Sequence, residues 1–308
     1  MLRKILGGVL AAALFAAPAM AGDSEACRKV RLSDVGWTDI TATTAVTSVL
    51  LEAMGYQPEV QVLSVPVTYQ SLQNKDIDVF LGNWMPSMAA DVKPFTDAKT
   101  VEVLAQNLEG AGYGLVVPDY VYDGGVKSLK DIGKFKDKFA GKIYGIEPGN
   151  DGNRIVLGMI ANKDNGLDGF ELVESSEAGM LAQAEKVMKD QDWIVFLGWT
   201  PHPVMGNMKI KYLEGMGDSG FGAAKVFTNV RAGYAKECPN VGKFIGNLKF
   251  DLPMENELMD QILKGKDAKD AATEWLKAHP DAATPWLNGV TTFDGGDATA
   301  AVKKTLGS

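Results

Sequence analysis

Four aromatic residues stand where the chain turns into or out of apparent strands: Trp37 in GWTD, Trp84 after VFLGN, Tyr113 in GAGYG and Trp199 after VFLG. Rings gathered around one cleft would turn their negative π faces toward a cation. A quaternary ammonium group has no N–H to donate, so ring faces can hold it at ~0.5–2 kcal/mol per ring, more where the site is dry. Taken singly, each of the four reads as a packing aromatic, and the inference rests on their convergence. Trp193, Trp275 and Trp286 lack this placement and read as packing residues.

Other chemistries find little to work with. The histidines are His202 and His279, and the cysteines, Cys27 and Cys238, have no paired-ligand spacing, so neither a metal site nor a His-based triad is expected. His202, between Pro201 and Pro203, reads as a loop histidine at the rim of the cleft. The run GAGYG at 110–114 departs from the dinucleotide fingerprint and leads into a strand, so no cofactor is expected. Asp and Glu are plentiful, yet no motif pairs two of them as acid and base, and the chain is not expected to be an enzyme.

The elements that must position the aromatics follow a repeated order. Strand, helix, strand, helix and strand are read over 28–36, 39–55, 58–65, 68–75 and 77–82; the same order returns over 142–146, 152–163, 170–175, 177–190 and 192–198. In the first helix Ala45, Val49, Ala53 and Met54 form one apolar side, and Gly55 is the stop. VFLG is the third strand of each unit, and each copy is followed by Trp and then Pro. This predicts an α/β protein of two lobes, each a mostly parallel sheet flanked by helices, with ligand loops outside the carboxyl ends of the strands. The segment 107–121 reads as a crossover and 225–248 as the return, so two crossing strands form the hinge. The expected division is 22–115 for the first part of lobe A, 116–224 for lobe B and 225–308 for the rest of lobe A.

Residues 1–21 read as a signal peptide, with Arg3 and Lys4, an apolar run and Ala19-Met20-Ala21 before the cut. No lipid anchor is expected at Cys27, which follows Ser24-Glu25-Ala26. The formal net charge is −8, and loss of Arg3 and Lys4 makes it more negative, which argues against a nucleic-acid partner. In an oxidising compartment two cysteines most simply form one disulfide, Cys27 with Cys238, two buried thiols being the alternative.

Taken in order, GWTDI, GNWMP, GYGLVVP, EPGNDGNR and FLGWTPHPVM make essentially the whole mature chain resemble the substrate-binding proteins of ABC importers for glycine betaine, choline and related compounds. That resemblance implies a two-lobed type II periplasmic binding protein, a monomer that works with a membrane permease. It implies an aromatic box of Trp37, Trp84, Tyr113 and Trp199, with Asp39 and Asn150 near the polar end of the ligand. The local alternatives are a helix cap for Asp39 and a turn residue for Asn150. A buried Asp39 would repel the carboxylate of betaine, whereas a choline hydroxyl can donate to it. Choline is therefore the expected ligand, with acetylcholine or betaine weaker. A betaine or carnitine binder is the nearest rival, favoured if Arg154 points inward; a hydrolase of choline esters is the rival from another class.

Overall fold

A computed structural model describes residues 22–217 and 219–307, so the expected signal peptide lies outside the described residues. In chain order the first elements are β1 (Lys29–Asp34), α1 (Thr38–Ala53), β2 (Gln57–Val62), α2 (Val65–Asn74), β3 (Val79–Met85), α3 (Ala89–Asp97) and a long β4 (Val101–Pro118). Short helices α4 (Asp119–Asp123) and α5 (Leu129–Ile132) lead to β5 (Lys142–Tyr144), α6 (Asp151–Ala161), β6 (Glu171–Val173), α7 (Glu177–Lys189) and β7 (Phe196–Thr200). Next come α8 (Val204–Asn207), β8 (Ile210–Tyr212), β9 (Gly222–Arg231), α9 (Tyr234–Glu237) and α10 (Pro239–Asn247). The chain closes with α11 (Leu252–Leu263), α12 (Ala268–Ala278) and α13 (Ala298–Leu306).

The strands of the described residues join in one sheet of order β2-β1-β3-β9-β4-β7-β5-β6, with β8 paired to β4. At its ends β1 pairs in parallel with β2 and β3, and β5 pairs in parallel with β6 and β7. The two repeated units are thus the two lobes, and their sheets are the ends of a single mixed sheet. Its middle is the antiparallel pair β4 and β9, which are the two crossing strands. β4 is long enough, at about 60 Å if fully extended, to serve both lobes. Its start, from Val101 to Leu108, runs beside β9, and Gly112–Val116 pair with β7.

Helix α1 departs from the expectation of a single apolar side. Apart from Thr41, it is buried from Asp39 to Leu51, because α11, α12 and α13 pack over the face that would otherwise meet water. Its polar residues tolerate this by bonding back to the helix: Thr47 Oγ1 donates to Thr43 O at 2.8 Å and Ser48 Oγ to Thr44 O at 2.8 Å. The three unassigned tryptophans pack as expected. Trp193 lies against Phe135 and Phe139, Trp275 stacks on His279, and Trp286 meets Phe250 edge-on.

Cys27 and Cys238 are bridged, with their Cα atoms 5.6 Å apart. The bond ties the turn before β1 to the start of α10 across 211 positions, so it closes a long loop in the unfolded chain. Replacing both cysteines by serine should lower unfolding stability by roughly 2–5 kcal/mol. Urea denaturation of both proteins measures it, and equal midpoints would show that the bridge contributes nothing.

Candidate functional site

One wall is built by the turn after β1. Asp34 accepts the Gly36 N–H at 2.7 Å and the Thr41 hydroxyl at 2.8 Å. Gly36 has φ +79°, a left-handed conformation that a side chain would strain. This turn places Trp37 at the N-cap of α1 and Asp39 inside its first turn, so Asp39 is not the cap.

Trp84 and Trp199 come from equivalent places in the two lobes. Parallel pairing of β3 ends at Phe80 and that of β7 at Phe196, but both strands continue beside the crossing strands. Trp84 therefore lies opposite Val226, and Trp199 opposite Tyr113. Both tryptophans are strand residues, where the sequence reading put them in the loops beyond. The reason is that β9 and β4 supply antiparallel partners after the parallel neighbours end. Met85–Pro86 and Thr200–Pro201, both cis, then close the two strands.

Tyr113, on β4, donates its hydroxyl to Asn150 Oδ1 at 3.2 Å. Asn150 is the N-cap of α6, and the same oxygen accepts the N–H groups of Gly152 and Asn153. A Cβ on Gly152 would fall 1.9 Å from the Tyr113 oxygen, so glycine is what lets this helix approach the ring.

These pieces line a small cavity bounded by Trp37, Asp39, Trp84, Tyr113, Ile146, Asp151 and Trp199, all of them buried. The Tyr113 ring is 6.1 Å from that of Trp84 and 6.3 Å from that of Trp199. All four aromatics anticipated from the sequence, and Asp39, are brought together. Asn150 does not line this cavity. It stands behind the wall, its amide nitrogen donating to Asp151 Oδ1 at 3.2 Å and to Glu147 Oε1 at a long 3.4 Å.

Sequence reasoning missed Asp151, whose only signal was its place beside Asn150 in EPGNDG. It missed Glu147, which accepts the Trp37 indole N–H at 2.9 Å, and Glu177, which gave no signal beyond opening a helix. His202 is a loop residue between β7 and α8, as read, but it is buried, edge-on to Trp199 at 4.9 Å and 3.0 Å from Glu177, the first residue of α7.

The charge of the cavity is unbalanced. Asp39 Oδ2 accepts the Trp84 indole N–H at 3.1 Å, while its Oδ1 has no partner; Asp151 Oδ2 has none either. Burial, reinforced by the nearby Glu177, pushes the Asp39 carboxyl up to about 8, and burial pushes Asp151 up to about 7. No Lys, Arg or His is among the lining residues. Arg154 turns away, reaching the Ser87 carbonyl at 2.9 Å and Asp91 at 2.5 Å. Trp199 Nε1 is a buried donor without a partner. Such a site lacks a positive charge and can surround one with rings.

A two-lobed α/β protein with an aromatic, acidic cavity walled by both lobes has the design of a solute-binding protein. The chain belongs to the family described as the substrate-binding domain of the ABC-type glycine betaine transport system, whose profile matches residues 28–278. These are ligand-binding components of transporters and not enzymes, which removes the esterase alternative. The fold is similar to a solved ABC-transporter choline-binding protein in complex with choline, at 56% identity and TM-score 0.91, covering 92% of this chain and 100% of that one. A choline-binding protein in an unliganded semi-closed conformation gives TM-score 0.84 at 57% identity over the same shares. The glycine betaine/carnitine transport binding protein GbuC of Listeria monocytogenes is 31% identical over 168 residues, 54% of each chain.

A bound cation favours ionised carboxylates, so it should release protons from Asp39 and Asp151 near neutral pH. Affinity for tetramethylammonium is expected to rise as pH goes from about 6 to about 9, through the raised values of the two groups. Calorimetry in buffers of different ionisation enthalpy reads the proton release directly, and a flat pH profile would contradict this picture.

Proposed function

We propose that this chain captures choline outside the cytoplasmic membrane and delivers it to the permease of an ABC importer. The observation that carries the reading is the pairing of four aromatic rings with two buried carboxylates in a cavity that has no basic side chain. The trimethylammonium group would sit among Trp37, Trp84, Tyr113 and Trp199 and draw on the charge of Asp39 and Asp151. The hydroxyl can donate to an unpartnered carboxylate oxygen and accept from Trp199 Nε1. Asn150 would act at that end by orienting Tyr113 and Asp151, with its weakly held amide nitrogen as a further donor.

Betaine and carnitine remain the rivals, as the name of the Listeria relative indicates. Their carboxylate would satisfy Trp199 Nε1 but would face Asp39 and Asp151, and Arg154 is turned to Asp91. Acetylcholine has no hydroxyl to donate and would bind more weakly. We place the lobe boundaries at 22–115 with 225–308, and at 116–224, because β4 and β9 cross between the lobes there. The disulfide suits a periplasmic protein exported by a signal peptide over residues 1–21, and no described helix is long and apolar enough to cross a membrane. We propose a monomeric protein.

Calorimetric titration of unfolded and refolded protein, freed of any carried ligand, with choline, betaine and acetylcholine tests the reading. Tightest binding of choline supports it, and tighter binding of betaine overturns it. Asp39→Asn should lower choline affinity about 10- to 100-fold, the effect of losing a hydrogen bond to a charged group worth ~1.5–3 kcal/mol. The same change should leave betaine affinity unchanged or improved. Trp199→Ala should weaken both ligands, and an Asp39→Asn protein with undiminished choline affinity would remove Asp39 from the assignment.

A further inference from the structure

Helix α1 has no side-chain cap of its own. Its N-cap is Trp37, whose side chain makes no capping bond, and the first amide of the helix belongs to Thr38. A helix N-terminus carries unsatisfied N–H donors and a positive field, and a carboxylate is the natural partner for both. Here that carboxylate comes from the other lobe. Glu177, the first residue of α7, accepts the Thr38 N–H on Oε2 at 2.8 Å and the Thr38 hydroxyl on Oε1 at 2.5 Å.

The acceptor is itself held. His202 Nδ1 accepts the Val204 N–H at 3.2 Å, so Nε2 carries the ring hydrogen and donates to Glu177 Oε1 at 3.0 Å. His202 packs edge-on to Trp199. Thr38 stands between Trp37 and Asp39, and a single buried carboxylate therefore joins cavity walls contributed by the two lobes. Other polar contacts also cross between the lobes, among them Tyr113 to Asn150, which uses a lining residue, and Arg154 to the Ser87 carbonyl. Trp37 to Glu147 uses a lining residue, and Arg154 to Asp91 is partly exposed, where an ion pair is worth little. In the Glu177 to Thr38 bond the carboxylate is buried and neither residue lines the cavity.

We infer that Glu177 is a positioning residue: by capping α1 from the opposite lobe it latches the closed form and sets how long the ligand stays. This rests on the proposed function and adds a determinant that does not touch choline. A ligand held in the closed form leaves only after the lobes part, so the latch acts on dissociation while association proceeds from the open form.

Stopped-flow tryptophan fluorescence with choline, together with thermal unfolding of the ligand-free protein, tests the latch in wild type, Thr38→Val, Glu177→Gln and the double variant. Thr38→Val deletes the hydroxyl bond and changes no charge, so dissociation should quicken roughly 2- to 10-fold, with association and ligand-free melting temperature unchanged. Glu177→Gln should quicken it about 10- to 100-fold, and the double variant should fall short of the product of the two. Effects that simply multiply would overturn the latch. So would a Thr38→Val protein that releases choline at the wild-type rate, or one that only melts earlier. Wild-type protein that fails to bind choline would instead refute the functional reading, and the latch with it, before any variant is compared.

Discussion

The constraint on which this structure turns is negative charge buried without a cation. Asp39 and Asp151 are almost fully buried, each has an oxygen with no partner, and no basic side chain lines the cavity they share. Burying an unpaired carboxylate is costly enough that the group takes up a proton instead, as the raised values of both carboxyls express. A small cation would relieve that cost, and the ring faces around it offer attraction without demanding N–H donors. Choice among cations then falls to the few polar atoms left over, two acceptors and the Trp199 indole N–H.

Most of the surrounding architecture serves to bring these groups together and hold them still. Asp34 fixes the turn that carries Trp37, Trp84 is tied to Asp39, and Asn150 fastens Tyr113 to the start of α6. The mixed sheet makes this arrangement possible. By continuing past their parallel neighbours to pair with β9 and β4, strands β3 and β7 bring Trp84 and Trp199 to the shared middle of the molecule. A binding protein built this way can part its lobes without breaking either sheet end, because the crossing between them is made by β4 and β9.

Local pattern was enough to reveal a good deal. The repeated strand–helix order, the Trp and Pro after each VFLG, and the cysteine pair depend on short-range preferences and composition, so the α/β class, the two lobes, the four aromatics and the disulfide could be read directly. Asp39 was legible for a different reason: it entered through the resemblance of GWTDI to the motif of a known family, and its charge then argued for choline over betaine.

What tertiary structure decided was which polar groups meet. Asn150 and Asp151 are adjacent in the chain, and only the approach of α6 to Tyr113 puts the aspartate in the cavity wall and the asparagine behind it. Arg154 could have faced inward, but Asp91 and Ser87 across the cleft draw it outward. Glu177 and Thr38 lie 139 positions apart, and the loop residue His202 gives no sign in the sequence that it is buried with its ring against Glu177. Sequence alone could determine the rings, since an aromatic residue keeps its chemistry in any surroundings. The state of a carboxylate depends on solvent, neighbouring charge and hydrogen-bond donors, and those are set by residues distant in the chain.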